Sequence, residues 1–565
     1  MRFSALLLAL LATTSCVKTG PKAGPPSKGT ELATFFQNEW DDAMKESPTW
    51  ASELGDMRYA DRWPDVSLAH LREREQHERE SLAKLRRIGP SEDPLSWKLY
   101  ERRLVEDIAG EDFHLEVIPI NQRGGIQTED ERADALPFKT DKDFADWNAR
   151  LRSFGAYADQ TIALLRDGIA RGITHPRVVM ERVTRQIDNQ IVQDPKKSPF
   201  YAPYRRHASP RSAEAEAAIR EVVVPAFARL REFWVNTYLP ACKPEVGAWQ
   251  WPRGAEAYAY LVKAHTTLNV TPDEVHAIGL REVARIRGEM EKAKNLAGFK
   301  GSTKELFSFL RTDPRFFYPT SEALFEGYKA VGKRIDPLLP KLFSRLPKTP
   351  YTVQAVPENA APDTTTAYYR EPATDGSRPG TYFVNLYRPE TRPKWEMMAL
   401  SMHESVPGHH LQIAIAQENT ALPMFRRHGD FTAFIEGWAL YAESLGDELG
   451  LYDDPWSKIG QLTYEMWRAV RLVVDTGIHH LKWDRQRAID FFMENAPKAQ
   501  LDVENEIDRY IVWPGQALAY KMGELKIKEL RKKTALDPKA FHAALLEDGP
   551  LPLDVLEQRM KEKSR

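Results

Sequence analysis

The stretch Leu400–Gln412 (LSMHESVPGHHLQ) imposes the tightest condition on this 565-residue chain. It reads as an apolar, helix-forming segment that nevertheless carries three histidines and a glutamate, with Pro407-Gly408 in its middle. His403 followed by Glu404 is close to the zinc-hydrolase pattern H-E-x-x-H, in which two histidines one turn apart bind metal and the glutamate serves as general base. Here the pattern carries an insertion. In an unbroken helix, residues four apart differ by roughly 40° in direction and 6 Å along the axis, so both imidazoles reach one ion. His403 and His409 are about 240° apart around such a helix, on different faces. His403 and His410 share a face but sit roughly 10.5 Å apart along the axis, too far for two Zn–N bonds of about 2.1 Å. Pro407 has no N–H to donate, its ring clashes with the carbonyl of His403, and Gly408 tolerates backbone angles that other residues avoid. The sequence therefore predicts a bulge or break between Glu404 and His409. That break would swing the second histidine back toward the first, with His409 or His410 joining His403 on one Zn2+ and Glu404 as the base.

Such a site needs a third ligand and an open position. After the loop 419–430, Phe434–Glu443 (FIEGWALYAE) reads as a second apolar helix carrying two carboxylates. Glu436 is the expected third ligand, since an unpaired carboxylate in those surroundings is costly to bury; Glu443, two turns on, is expected to support the site or to form a salt bridge. Upstream, the β-branched and aromatic run Gly380–Tyr387, bounded by Pro379 and Pro389, is the best strand candidate. It is expected as an edge strand onto which an extended peptide could pair, with Asn385 among the substrate contacts. A developing oxyanion needs a further donor: Tyr520 is the first choice, His479 the second, and Tyr510 stands behind them. Arg468, Arg471, Gln516 and Lys521 are candidates to bind a peptide's terminal carboxylate.

Most of the remaining chain reads as helix. Ser67–Arg87, Asp141–Arg171 and Ala213–Tyr238 carry apolar residues at three- and four-residue spacing. Thr271-Pro-Asp-Glu274 and Ser302–Glu305 are helix starts of the capping-box type. Residues 1–15 have a basic start at Arg2, an apolar run and small residues up to Cys16, as a secretory signal peptide does; the run is too short to span a membrane. The segment before Cys16 resembles a bacterial lipoprotein processing site, which would make Cys16 a lipidated N-terminus and the lipid the only membrane contact. Residues 16–30, rich in Pro, Gly and Lys, form a flexible tether. Cys16 and Cys242 are the only cysteines, so no internal disulfide would remain and an exported body must rely on its core. That body, residues 31–565, exceeds the usual limit of one compact core. It is expected as one large helical unit or as two lobes, roughly 31–270 and 271–565. With 79 Lys and Arg interspersed among 81 Asp and Glu, nothing marks a nucleic-acid partner.

Three separated motifs, His403-Glu-Ser-Val-Pro-Gly-His-His410, Glu436-Gly-Trp-Ala-Leu-Tyr441 and Tyr510-Ile-Val-Trp-Pro-Gly-Gln-Ala-Leu-Ala-Tyr-Lys521, together resemble the DUF885 family of bacterial zinc-metallopeptidase-like proteins, often lipoproteins. The run Thr271–Arg285 is similar to the same family. The resemblance spans most of the mature chain. It implies a mainly α, gluzincin-like body with a deep cleft and a small β-sheet whose edge strand lies near the active-site helix. That fold is distantly similar to the thimet-oligopeptidase, angiotensin-converting and Taq-carboxypeptidase groups. In those relatives the second histidine follows a glycine, which favours His409 over His410. The expectation is a zinc-dependent hydrolase of the cell envelope, facing the periplasm and cleaving short peptides. The alternatives are a zinc amidase or esterase on a non-peptide envelope substrate, or a non-catalytic lipoprotein scaffold.

Overall fold

Local caps set where the long helices begin. In the computed structural model, which describes residues 29–358, 361–363 and 365–564, helix α1 (Asp141–Arg171) starts at Thr140 with a reciprocal capping box to Asp143. Helix α2 (Pro272–Leu296) starts at Thr271 with the same box to Glu274 and Pro at its first turn. Ser302 and Glu305 cap Thr303–Thr312 likewise. Each box satisfies two amide donors that a helix start otherwise leaves open. The expected signal peptide, Cys16 and the tether up to residue 28 lie outside the described residues.

The segment 213–238 is helical but not regular: π-helical turns occupy Ile219–Val223 and Trp234–Tyr238. Each turn closes one residue before a proline position, with Val224 donating to the Ile219 carbonyl and Leu239 to that of Trp234. Pro225 and Pro240 follow. A proline inside a helix withholds one N–H and crowds the carbonyl four residues back, and a widened turn accommodates both defects.

The sheet has three strands, β1 (Tyr351–Ala355), β2 (Ala367–Arg370) and β3 (Gly380–Val384), in the order β1-β3-β2. β3 runs parallel to β1 and antiparallel to β2. The strand expected at the edge is thus the central one. Its backbone is paired on both sides and all five of its residues are buried, so no peptide can add to it. Both edge strands approach the histidines, β1 through Tyr351 beside His410 and β2 through Tyr369 beside His409 and His410.

The elements around the site follow in sequence: α3 (Met397–Glu404), α4 (His409–Gln417), α5 (Thr432–Ser444), α6 (Pro455–His479), α7 (Gln500–Val512) and α8 (Ala519–Lys533). α6 is the axis of the body, for every residue from Ile459 to His479 is buried. A helix at the surface would show one wet face; one buried all round has neighbours on every side, and its charged residues must find partners there. α2 lies against it at Gly279, where an added Cβ would come within 2.8 Å of Leu472 and Val473. One hydrophobic cluster joins Trp147 and Phe227 to Val283, Val470 and Tyr510 and so runs across the 270/271 position. Cys242 is a buried free thiol. Among the described residues no helix is long and apolar enough to cross a membrane.

Candidate metal centre

The helix break falls where Pro407 requires it. α3 ends at Glu404, Ser405 (ψ −112°) and Gly408 (ψ −129°) leave helical geometry, the Val406–Pro407 bond is cis, and α4 begins at His409. The returning chain passes so close to α3 that a Cβ on Gly408 would lie 1.9 Å from the His403 carbonyl oxygen and 2.4 Å from that of Met402. Only glycine fits. Trp438 of α5 fastens the linker from outside, its indole N–H donating to the Pro407 carbonyl at 2.8 Å.

His403 Nε2 and His409 Nε2 consequently both face Glu436 Oε2 of α5, at 3.4 and 3.5 Å. One ligand atom from each of the three residues falls within 4.8 Å of the others. Ligands about 2.1 Å from a tetrahedral zinc are separated by about 3.4 Å, so these spacings fit a His2Glu set. Glu436 Oε2 is buried and makes no regular hydrogen bond. Burial alone would raise the Glu436 pKa, yet the charge of His409 and the contacts with both imidazoles hold it well below the usual carboxylate range. Burial likewise disfavours a charged His403, but Glu436 and Glu443 keep its pKa up at about 9. The same concentrated negative charge suits a bound dication.

Behind the ligands, Glu443 Oε1 accepts from His403 Nδ1 at 2.8 Å, which fixes Nε2 as the atom aimed at the centre. Glu443 is fully buried and is not among the three residues of the ligand set. His409 Nδ1 is buried with no hydrogen-bond partner among the described residues. Glu404, next to His403 at the end of α3, is nine-tenths buried, and its carboxylate makes no hydrogen bond or ion pair to any described residue.

His410, the alternative ligand, is turned away. Its Nε2 meets the Thr349 carbonyl at 3.0 Å and its Nδ1 meets the Tyr369 hydroxyl at 2.8 Å. Burial pushes its pKa down to about 4, so the neutral ring donates from Nε2 and accepts at Nδ1 from the phenol. Tyr369 of β2 also faces the His409 ring, 6.5 Å between centroids and 23° between planes. Sequence reasoning missed it, because only the pairing of β2 on β3 carries it to this place.

The chain matches the model of a family described as "Bacterial protein of unknown function (DUF885)" over residues 48–560. It belongs to the DUF885 family. Two solved structures share its fold. The one titled "putative lipoprotein from Colwellia psychrerythraea" is 28% identical, with a TM-score of 0.86 over 94% of this chain and 98% of the other. The one titled "putative lipoprotein of unknown function from Shewanella oneidensis" is 18% identical, with a TM-score of 0.67 over 94% and 100%. No curated protein matches.

Hydrogen bonding separates the other candidates in this DUF885 chain. The Tyr520 hydroxyl accepts from Arg509 Nη2 at 3.1 Å and has no acceptor of its own among the described residues, so its proton remains available. Tyr510 donates to Glu506 at 2.8 Å while accepting from Arg471 and Trp467. Its proton is committed. His479 is corrected to a structural role: Ala248 N donates to its Nδ1 at 2.9 Å and its Nε2 meets the Tyr510 carbonyl at 3.0 Å. It also lies eleven positions beyond Arg468 on α6, roughly 16 Å along the axis. Asn385 is likewise an internal brace, donating to the carbonyls of Ala361 and Thr365 and accepting from Tyr387 N. Lys521 is fully buried and pairs with Glu465 at 2.8 Å, Glu524 at 2.5 Å and Glu282 at 3.1 Å, which leaves no valence for a substrate. Gln516 accepts from Arg509 at 2.6 Å. Arg468 and Arg471 point from α6 toward the rings of Tyr520 and Trp467.

Proposed function

We propose that this protein is a metal-dependent hydrolase of the cell envelope that cleaves peptide bonds in short peptides. The observation that supports it most is the convergence of His403, His409 and Glu436 at spacings that suit a tetrahedral ion, beside a carboxylate, Glu404, that no other described side chain occupies. A zinc ion held by these three would polarise a carbonyl and bring the pKa of water toward neutrality. The chain supplies the rest. Glu404 removes the proton of the attacking water and returns it to the departing nitrogen. Tyr520, with its own proton free and its oxygen held by Arg509, donates to the oxyanion as charge develops there. Glu443 keeps the His403 ring in orientation. The titles of the two structural relatives support an envelope location, with lipidation of Cys16 as the membrane anchor.

The test compares purified wild type with Glu404→Gln. Metal is counted by elemental analysis and products from a mixed peptide library are read by mass spectrometry. One zinc per chain in both proteins, with hydrolysis only in wild type, is the expected result. Unchanged hydrolysis in Glu404→Gln removes it as the base. Absence of stoichiometric metal, with no effect of replacing His403, returns the protein to a scaffold, and turnover of acyl esters or cell-wall amides without peptides points to the non-peptide hydrolase.

A further inference from the structure

Behind Glu443, three arginines from α6 and α7 are buried around the ring of Tyr520. Arg468, Arg471 and Arg509 are only 5%, 3% and 7% exposed. Among the described residues Glu506 is the one carboxylate hydrogen-bonded to them, accepting from Arg471 Nη2 at 3.0 Å and Arg509 Nη1 at 3.2 Å. Glu443 makes only a loose ion pair with Arg468. Its Oε1 is engaged by His403, and Arg468 Nη2 stays 3.7 Å away. Arg123 adds a further positive charge toward Glu506. Two guanidinium nitrogens of this cluster, Arg471 Nη1 and Arg468 Nε, are buried without a hydrogen-bond partner among the described residues. The rings of Tyr520, 4.3 Å from the Arg471 guanidinium, and of Trp467, 5.1 Å from that of Arg468, cover the flat faces of the cations. They do nothing for N–H groups directed in the plane. Buried cations with open in-plane donors are costly unless an anion completes them, and a planar fork of donors matches a carboxylate.

The cluster is continuous with the catalytic side. His403 contacts Glu443, Glu443 faces Arg468, and Arg468 and Arg471 flank the ring of Tyr520, whose hydroxyl is held by Arg509. We propose that Arg468, Arg471 and Arg509 form the docking site for the free C-terminal carboxylate of a peptide whose scissile bond lies at His403, His409 and Glu436. The proposal rests on the hydrolase reading and narrows it: the substrates are peptides with an unblocked C-terminus, cut near that end. Tyr520 stands between the two, touching the arginines with its ring and the reacting carbonyl with its hydroxyl.

The experiment pairs tri- to pentapeptides that carry either a free C-terminal acid or a C-terminal amide. For wild type the acid should be preferred in kcat/KM by about 10- to 100-fold, the worth of a charge-assisted hydrogen-bonded contact. Arg468→Gln and Arg471→Gln should each shrink that preference mainly through KM, with zinc content unchanged. A cluster that only ties α6 to α7 would lower the melting temperature of these variants and leave the acid-to-amide ratio intact. Arg468→Gln guards against misfolding of the second variant, because Arg468 loses only its 3.7 Å contact with Glu443 whereas Arg471 loses a hydrogen-bonded pair with Glu506, and the wild-type ratio needs no variant at all. Equal cleavage of acids and amides overturns the carboxylate site and leaves the hydrolase standing. If no peptide is cleaved, calorimetry of zinc-loaded Glu404→Gln with an N-acetyl tripeptide acid and its amide decides. Selective binding of the acid, lost in the Arg471→Gln double variant, supports the site; equal binding or none overturns it.

Discussion

Gly408→Ala is the sharpest test of how the two histidines are brought together. The added methyl would sit 1.9 Å from the His403 carbonyl oxygen and 2.4 Å from that of Met402. Ordinary contacts begin near 3.5 Å, so the linker must retreat by roughly 1.5 Å, and neither obstructing atom belongs to a side chain that could rotate away. Overpacking of this kind costs about 1–3 kcal/mol. The displaced residue adjoins His409, whose Nε2 stands 3.5 Å from Glu436 Oε2. A metal site tolerates only about 0.2 Å of error in each bond. Zinc affinity should therefore fall by at least about 100-fold and the melting temperature should drop. Most of the stabilisation that zinc is expected to give wild type, read as the difference between scans with and without chelator, should be lost. Affinity is read by competition with a chromophoric chelator. Gly288→Ala is the control, because nothing lies within 4 Å of its added Cβ and alanine inside a helix is favoured over glycine by about 0.5–1 kcal/mol. A Gly408→Ala protein that melts with wild type and holds one zinc at wild-type affinity refutes the close-approach argument.

Glu443→Gln should keep the ligand set but weaken zinc binding by about 10–100-fold, since an amide orients the His403 ring less firmly than a carboxylate; an unchanged affinity would show that Glu443 has no part in the centre. Asp475, where burial raises the pKa to about 7 against the hydrogen bonds from Tyr258 and Gly515, binds its proton more tightly when folded. Stability should then decrease as pH rises from about 4 to about 7, by up to about 1.4 kcal/mol per unit, and level off above that. Asp475→Asn, whose amide oxygen can accept the same two bonds, should flatten this slope in denaturant titrations across that range; a slope equal to that of wild type would contradict the assignment. Lys521→Met leaves Glu465, Glu524 and Glu282 without their shared buried cation, at a cost of about 3–5 kcal/mol, while zinc affinity stays put. A specific loss of substrate binding without loss of stability would restore Lys521 as a substrate contact.

What the sequence made legible was local. The boxes at Thr271 and Ser302, the interruption at Pro407-Gly408 and the carboxylate helix at Glu436 are all decided within a few residues, and the structure keeps each of them. What it hid was pairing at a distance. Gly380–Val384 has the composition of any strand, and nothing within it says that β1 will take one side and β2 the other. His479 is bound to residues 231 positions before it and 31 after it, and Lys521 to one carboxylate from α2 and another from α6. A buried titratable side chain on an apolar helix therefore advertises that it has a partner without saying which. Where the partner is backbone or a fixed carboxylate the residue is structural. Glu404, Tyr520 and the orphaned arginine nitrogens stand out because each keeps a proton, an oxygen or a donor that the fold does not consume.

The triplet Glu436-Gly437-Trp438 shows why the motifs travel together. Successive helical residues point about 100° apart, so three neighbours on α5 address three different elements. Glu436 meets the two histidines, Trp438 holds the linker carbonyl of Pro407, and Gly437 lies against α8, where a Cβ would approach Gly523 Cα to 2.5 Å. Gly523 in turn rests on the Ala433 carbonyl, one turn along α8 from Tyr520. The glycine contact thus fixes how far the Tyr520 hydroxyl stands from the ligands that Glu436 and Trp438 organise. Two residues without any functional group thus govern the spacing between the proposed metal ligands and the proposed proton donor. A bulkier residue at either glycine would therefore be felt as a misplaced oxyanion contact even though both histidines, Glu436 and Tyr520 were intact.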